Sequence, residues 1–166
     1  MKATLNSSLD IKNTGFTLIE LMVTIAVLAI IVTIAAPSIS TQLANSRVKS
    51  TASTLSNALK EAKAESVIRR QNVTVSYDAT STPKAIILTD MNANKIASYS
   101  INDKSVVTEV IMPTTVTAVS FRPNKLLDNR ASVVYSVCDT NTVASRRQVR
   151  VSTVTNITNQ LGGESC

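Results

Sequence analysis

Histidine is absent from this chain of 166 residues, and with it the commonest general base and the commonest metal ligand. Only two cysteines occur, Cys138 and Cys166, too few for a zinc site with no histidine to complete it. There is no nucleotide-binding glycine loop, and no pair of carboxylates stands in a recognisable catalytic frame. The chain therefore does not read as an enzyme, and neither a cofactor nor a metal is expected. Aromatics are scarce too, with no tryptophan, two phenylalanines and three tyrosines.

What is present divides unevenly. The apolar content comes from Ala, Val, Ile and Leu, and much of it lies before Pro37. Beyond that point Thr, Ser, Asn and Val dominate, a composition suited to β-strands with polar faces and solvated turns. The length allows one domain plus an extra element, and is short for two ordinary domains. A net charge of +6 permits contact with nucleic acid or anionic lipid without demonstrating either. In an exported domain, Cys138 and Cys166 would form a single disulfide, stabilising by about 3–4 kcal/mol through loop closure. In a cytosolic domain the same pair would stay as free thiols.

From Phe16 to Ala36 the chain is apolar except for Thr17, Glu20, Thr24 and Thr33. As a helix at about 1.5 Å per residue this run spans roughly 31 Å, the thickness of a bilayer's hydrocarbon core. Threonines are tolerated there because their hydroxyls bond back to helix carbonyls. Glu20 is the anomaly, since an ionised carboxylate at mid-bilayer costs roughly 2.5–3.5 kcal/mol. Ahead of the run, Lys2 and Lys12 mark the side expected to stay cytoplasmic. A secretory signal would place its small residue after the apolar core, whereas Gly15 precedes it.

The stretch "GFTLIELMVTIAVLAII" within Lys12–Pro37 resembles the class III signal of type IV pilins and type II secretion pseudopilins. The resemblance implies a leader of residues 1–15, cut between Gly15 and Phe16 by a prepilin peptidase, and N-methylation of the new Phe16 amine. It implies a membrane and filament-core helix over 16–36, continued by an amphipathic half over 37–70. Glu20 then acquires a role, pairing with the Phe16 amine of a neighbouring subunit, because a buried charge is tolerated when partnered. Phe16 is also placed four residues ahead of Glu20, on the same helix face. Pro37 cannot complete the helix bond to the carbonyl four residues back, and is the expected kink.

After Pro37, apolar or small residues recur at Ala44, Val48, Ala52, Leu55, Leu59 and Ala62. These steps of three and four define one face of a helix, ending near Arg70 and expected to pack on the chain's own sheet. An isolated stretch of this kind could equally bind a partner. Residues 71–166 read as β, with strands at 73–77, 85–89, 96–101, 106–111, 115–121, 131–137 and 148–154, separated by turn residues. Together these predict an α+β pilin fold, a long N-terminal helix on a C-terminal antiparallel sheet domain. "FRPNKLLDNRASVVYSVCD" and the terminal cysteine more loosely resemble the H-type pseudopilins and the T- and U-type minor pilins.

The C-terminal third is basic, most sharply in "ASRRQVRVSTV". A strand over 148–154 would point Arg150 away from Val149 and Val151, with Arg146 on the Arg150 side if the extended backbone begins early. Guanidiniums so spaced can meet successive phosphates, which makes Arg146, Arg147 and Arg150 candidates for double-stranded DNA contact. Some T-type minor pilins bind DNA through a Gly-Arg-x-Arg motif, which "SRRQVR" does not reproduce. No aromatic accompanies the arginines for stacking on single strands, and a solvated basic face remains the alternative. The resemblance implies a bacterial inner-membrane protein with a periplasmic domain, later part of a pilus or its tip. Its implied partners are major and minor pilins, the prepilin peptidase, the inner-membrane assembly platform and the membrane itself. A secretion pseudopilus is the alternative setting.

Overall fold

Apolar and small residues at helical spacing form one long helix, and alternating residues beyond it form strands. The computed structural model describes residues 15–141 and 144–165. The leader before Gly15, including Lys2 and Lys12, lies outside the described residues, as do Cys166 and the side chain of Pro37. The chain divides into two units, Met1–Ser38 and Ile39–Cys166. Helix α1 (Leu18–Arg69) contributes to both.

Within the second unit α1 buries the stripe its spacing predicts. Ala44, Val48, Ala52, Leu55, Leu59 and Ala62 are each no more than 1% exposed. A buried leucine of this kind contributes roughly 1.5–3 kcal/mol. The helix stops where Arg70 turns to φ 54, a left-handed conformation that cannot continue it.

Among the described residues eight strands follow: β1 (Val73–Asp78), β2 (Ala85–Thr89), β3 (Lys95–Ser100), β4 (Ser105–Met112), β5 (Val119–Phe121), β6 (Ser132–Asp139), β7 (Ser145–Val151) and β8 (Ile157–Ser165). They form two four-stranded sheets, ordered β3-β2-β1-β5 and β4-β6-β7-β8, with every pairing antiparallel. On β6 strict alternation buries Val133, Tyr135, Val137 and Asp139 while Cys138 and its even-numbered neighbours face outward, half-buried. One apolar core joins the helix stripe to both sheets, with Tyr135 and Phe121 its largest buried side chains.

Two of the expected strands require correction, and one strand was not expected. The strand expected over 115–121 is only Val119–Phe121, because a turn in which the Val116 N–H donates to the Pro113 carbonyl occupies the residues before it. The strand expected over 148–154 is Ser145–Val151. It stops there because Ser152–Asn156 forms a turn, with the Thr155 N–H donating to the Ser152 carbonyl at 2.8 Å and Thr155 at φ 56. The polar tail beyond is strand β8, paired along β7. The other five expected strands begin and end within two residues of the observed ones.

Candidate functional site

In the first unit the helix begins with a cap. The Glu20 N–H donates to the Thr17 side-chain oxygen at 3.2 Å and to the Thr17 carbonyl at 3.1 Å. Thr17 thereby satisfies a donor that the first helical turn would leave orphaned. Glu20 sits in that first turn, where the helix dipole favours a negative charge. Since α1 starts at Leu18, Phe16 precedes the helix of the uncut chain and does not share a helix face with Glu20. This cap at Thr17 was missed in the sequence, although the Thr-x-x-Glu spacing of a capping box is its signal.

Beyond this turn the helix is apolar on every side. Among the large apolar side chains from Phe16 to Ile34, the least exposed is Val27, at 50%. The threonine hydroxyls are satisfied internally, Thr24 donating to the Leu21 carbonyl at 2.8 Å and Thr33 to the Ile30 carbonyl at 2.7 Å. Glu20 is thus the one charged side chain between Phe16 and Ile34. A helix that is apolar all round requires an apolar surrounding, either lipid or other helices. By length and composition, no single helix among the described residues is long and apolar enough to cross a membrane. Leu18–Ile34 meets that condition only when taken together with Ser38–Arg69.

In the second unit, β6 carries a buried charge toward the helix. Asp139 accepts from Arg47 on α1 through Nε at 2.8 Å and Nη2 at 3.1 Å, and from the Asn141 N–H at 2.9 Å. The Arg47 guanidinium, foremost, holds the Asp139 carboxyl below the ordinary aspartate value against the opposing effect of burial. The neighbouring Cys138 is disulfide-bonded. Its expected partner, Cys166, lies outside the described residues.

The three candidate arginines of β7 reach three different acceptors. Arg146 stands at a register shift and donates through Nη2 to the Gly162 carbonyl at 3.0 Å, its Nε buried without a partner. Arg147 is in register with Val137 and shares the face of buried Val149 and Val151. Its Nε lies 3.4 Å from Asn159 Oδ1. Arg150 is exposed on the opposite face and donates to Gln148 Oε1 at 2.7 Å. Arg122, part of the same basic third, is bonded to Asp128, its Nε 2.7 Å from Oδ1. The strand therefore does not present its guanidiniums as one continuous row for phosphates. Among the described residues no group of three or more Cys, Asp or Glu side chains is placed to hold a metal ion.

Comparison with known proteins yields one sequence motif and one fold. Residues 11–36 match the prokaryotic N-terminal methylation motif. Two crystal structures of the type IV minor pilin FimU of Pseudomonas aeruginosa share the fold, each with a TM-score of 0.55. One is 15% identical over 71% of this chain and 96% of its own. The other is 16% identical over 72% and 92%. No curated protein matches the chain. The chain thus carries a methylation motif at the head of an α+β fold that it shares with a type IV minor pilin.

Proposed function

We propose that the chain is a minor pilin of a type IV pilus, a structural subunit that primes filament assembly or forms part of the tip complex. The prepilin peptidase cuts between Gly15 and Phe16, and the exposed Phe16 amine is methylated. Residues 16–36 hold the subunit in the bacterial inner membrane with its second unit in the periplasm. The assembly platform then transfers the subunit into a filament of other major and minor pilins.

One observation carries this reading: a helical stretch, Leu18–Ile34, exposed and apolar on all sides, whose single charge is Glu20 at its capped first turn. Lipid serves such a helix before assembly, and neighbouring helices serve it afterwards. The carboxylate finds its counter-charge on the amine of an adjacent processed subunit, and a partnered charge is tolerated where a lone one is not. Pro37 supplies the break in helix bonding between the two halves. In the oxidising periplasm Cys138 and Cys166 would pair as a single disulfide. The likeness to a minor pilin of the U type favours a pilus over a secretion pseudopilus.

The test is the fate of Glu20→Ala. Membrane-anchored subunit should accumulate at the wild-type level while the amount recovered in sheared filaments falls about tenfold or more, the scale set by losing the partner of a buried charge. Equal recovery would remove the docking role from Glu20. Filaments that lack the wild-type chain, combined with lost protein secretion on its deletion, would assign it to a secretion pseudopilus.

A further inference from the structure

Beside the buried stripe of α1 runs a second, exposed one. Lys60, Ala64, Val67 and Ile68, together with Lys63 and Lys125, line a cleft of about 440 Å³. Ile68 is 73% exposed and Val67 38%. A second cleft of about 390 Å³ shares Lys60 and Lys63 and is bounded by the turn and strand start at Val154–Ile157. No carboxylate lines either cleft. The helix acids are engaged elsewhere, Glu61 with Tyr99 and Glu65 with Arg69.

The walls of this groove are fixed in advance. Thr155 is 1% exposed, and its carbonyl accepts from Lys63 Nζ at 3.1 Å. Its hydroxyl donates to the Lys125 carbonyl at 2.6 Å. The buried Ser66 hydroxyl donates to the Lys63 carbonyl at 2.8 Å and lies 3.2 Å from that of Arg122. The turns at 122–125 and 152–155 are thereby bonded to the helix. A preformed groove of this kind binds without first ordering its own walls. Lys60 and Lys125 enter no ion pair among the described residues.

We propose that this groove docks an acidic polypeptide segment of a partner protein, its carboxylates met by Lys60 and Lys125 and an aliphatic side chain seated against Val67 and Ile68. Unpaired lysines with no anion between them call for negative charge. The apolar strip between them calls for an apolar side chain, which a phosphate backbone lacks. The lining contains no aromatic for base stacking, and the flanking Glu61 and Glu65 interrupt the broad basic face that an anionic membrane would favour.

The probe is a fluorescein-labelled peptide of alternating glutamate and leucine, titrated by anisotropy against the full chain in neutral detergent. Its binding should weaken about five- to tenfold in the Lys60→Gln, Lys125→Gln double variant and by a similar factor in Ile68→Ser. A glutamine–leucine peptide and a polyglutamate of the same length should both bind more weakly than the probe. Lys63 is left in place because it holds the groove together. Should Ile68→Ser lower the melting temperature, the exposed lysine pair alone decides the matter. Probe affinity unchanged by the lysine substitutions overturns the proposal. So does a DNA duplex, or a phosphatidylglycerol vesicle, whose binding those substitutions abolish while the peptide's binding stays the same.

Discussion

Arg47 on α1 grips Asp139 on β6 with two guanidinium nitrogens, Nε at 2.8 Å and Nη2 at 3.1 Å. The Asp139 side chain is fully buried while that of Arg47 keeps 24% of its surface in water. The arginine thus brings its charge to the carboxylate at modest desolvation cost, and the carboxylate loses its hydration altogether. This pair joins the helix to the end of β6, next to the disulfide-bonded Cys138.

Asp139→Asn should lower unfolding stability by about 1–3 kcal/mol, the range for hydrogen bonds to a buried charged group. The wild-type pair should also show in the pH dependence. The folded Asp139 carboxyl titrates below its unfolded value, so the unfolded chain takes up the proton first as pH falls. The stabilisation is complete above the unfolded value of about 3.9 and is lost as pH falls through the depressed folded value. Urea unfolding across that acidic range should show a steeper loss for the wild type than for Asp139→Asn.

Tyr99 on β3 bonds to Glu61 on α1, and that bond raises the phenol to about 12. Tyr77 and Tyr135 are also raised, in each case chiefly by burial. Ultraviolet titration of the folded protein should therefore show little phenolate at the ordinary tyrosine value of about 10. Glu61→Gln should bring one tyrosine down toward that value. Because the folded value is the higher one, the neutral phenol's contribution to stability is whole below the unfolded value and disappears as pH climbs through the folded one. A tyrosine titration indifferent to Glu61→Gln would remove the carboxylate as the cause.

Gly162 on β8 lies against Arg146. A Cβ added there would stand 2.9 Å from Arg146 Nε, 3.0 Å from Cγ and 3.1 Å from the backbone carbonyl oxygen. The guanidinium can swing aside, whereas the carbonyl is fixed in the strand. Gly162→Ala should therefore destabilise by about 1–3 kcal/mol, the usual cost of overpacking. Arg150→Ala, at an exposed position on β7, should stay within about 0.5 kcal/mol of wild type. Chemical denaturation of both variants checks the contrast.

The legible parts of this fold are those in which one short segment contains its own evidence. The stripe Ala44 to Ala62 repeats at helical spacing, and β6 alternates Val133, Tyr135 and Val137 inward. Strand β8 could not be read because "ITNQLGGES" has no apolar alternation and contains two glycines. Its strand character comes from pairing with β7, a partner that local composition does not reveal. The pairing of Arg47 could not be read because Asp139 is separated from it by 92 positions.

The candidate site divides in the same way. Gly15, Phe16 and Glu20 stand within a motif whose spacing is local, residues 11–36. Arg146, Arg147 and Arg150 stand close together in sequence, yet a register shift and three separate acceptors distinguish them. The basic groove escaped notice because Lys60, Lys63 and Lys125 are brought together by Thr155, a residue without distinction in the linear pattern.

The central claim is that this chain is processed as a pilin and built into a filament. It is tested most directly by mass spectrometry of the N-terminus of the chain recovered from sheared filaments. The expected terminus is Phe16 bearing a methyl group on its α-amine, with residues 1–15 gone. A filament-borne chain that still begins at Met1, or one cut at any bond other than Gly15–Phe16, would contradict the account.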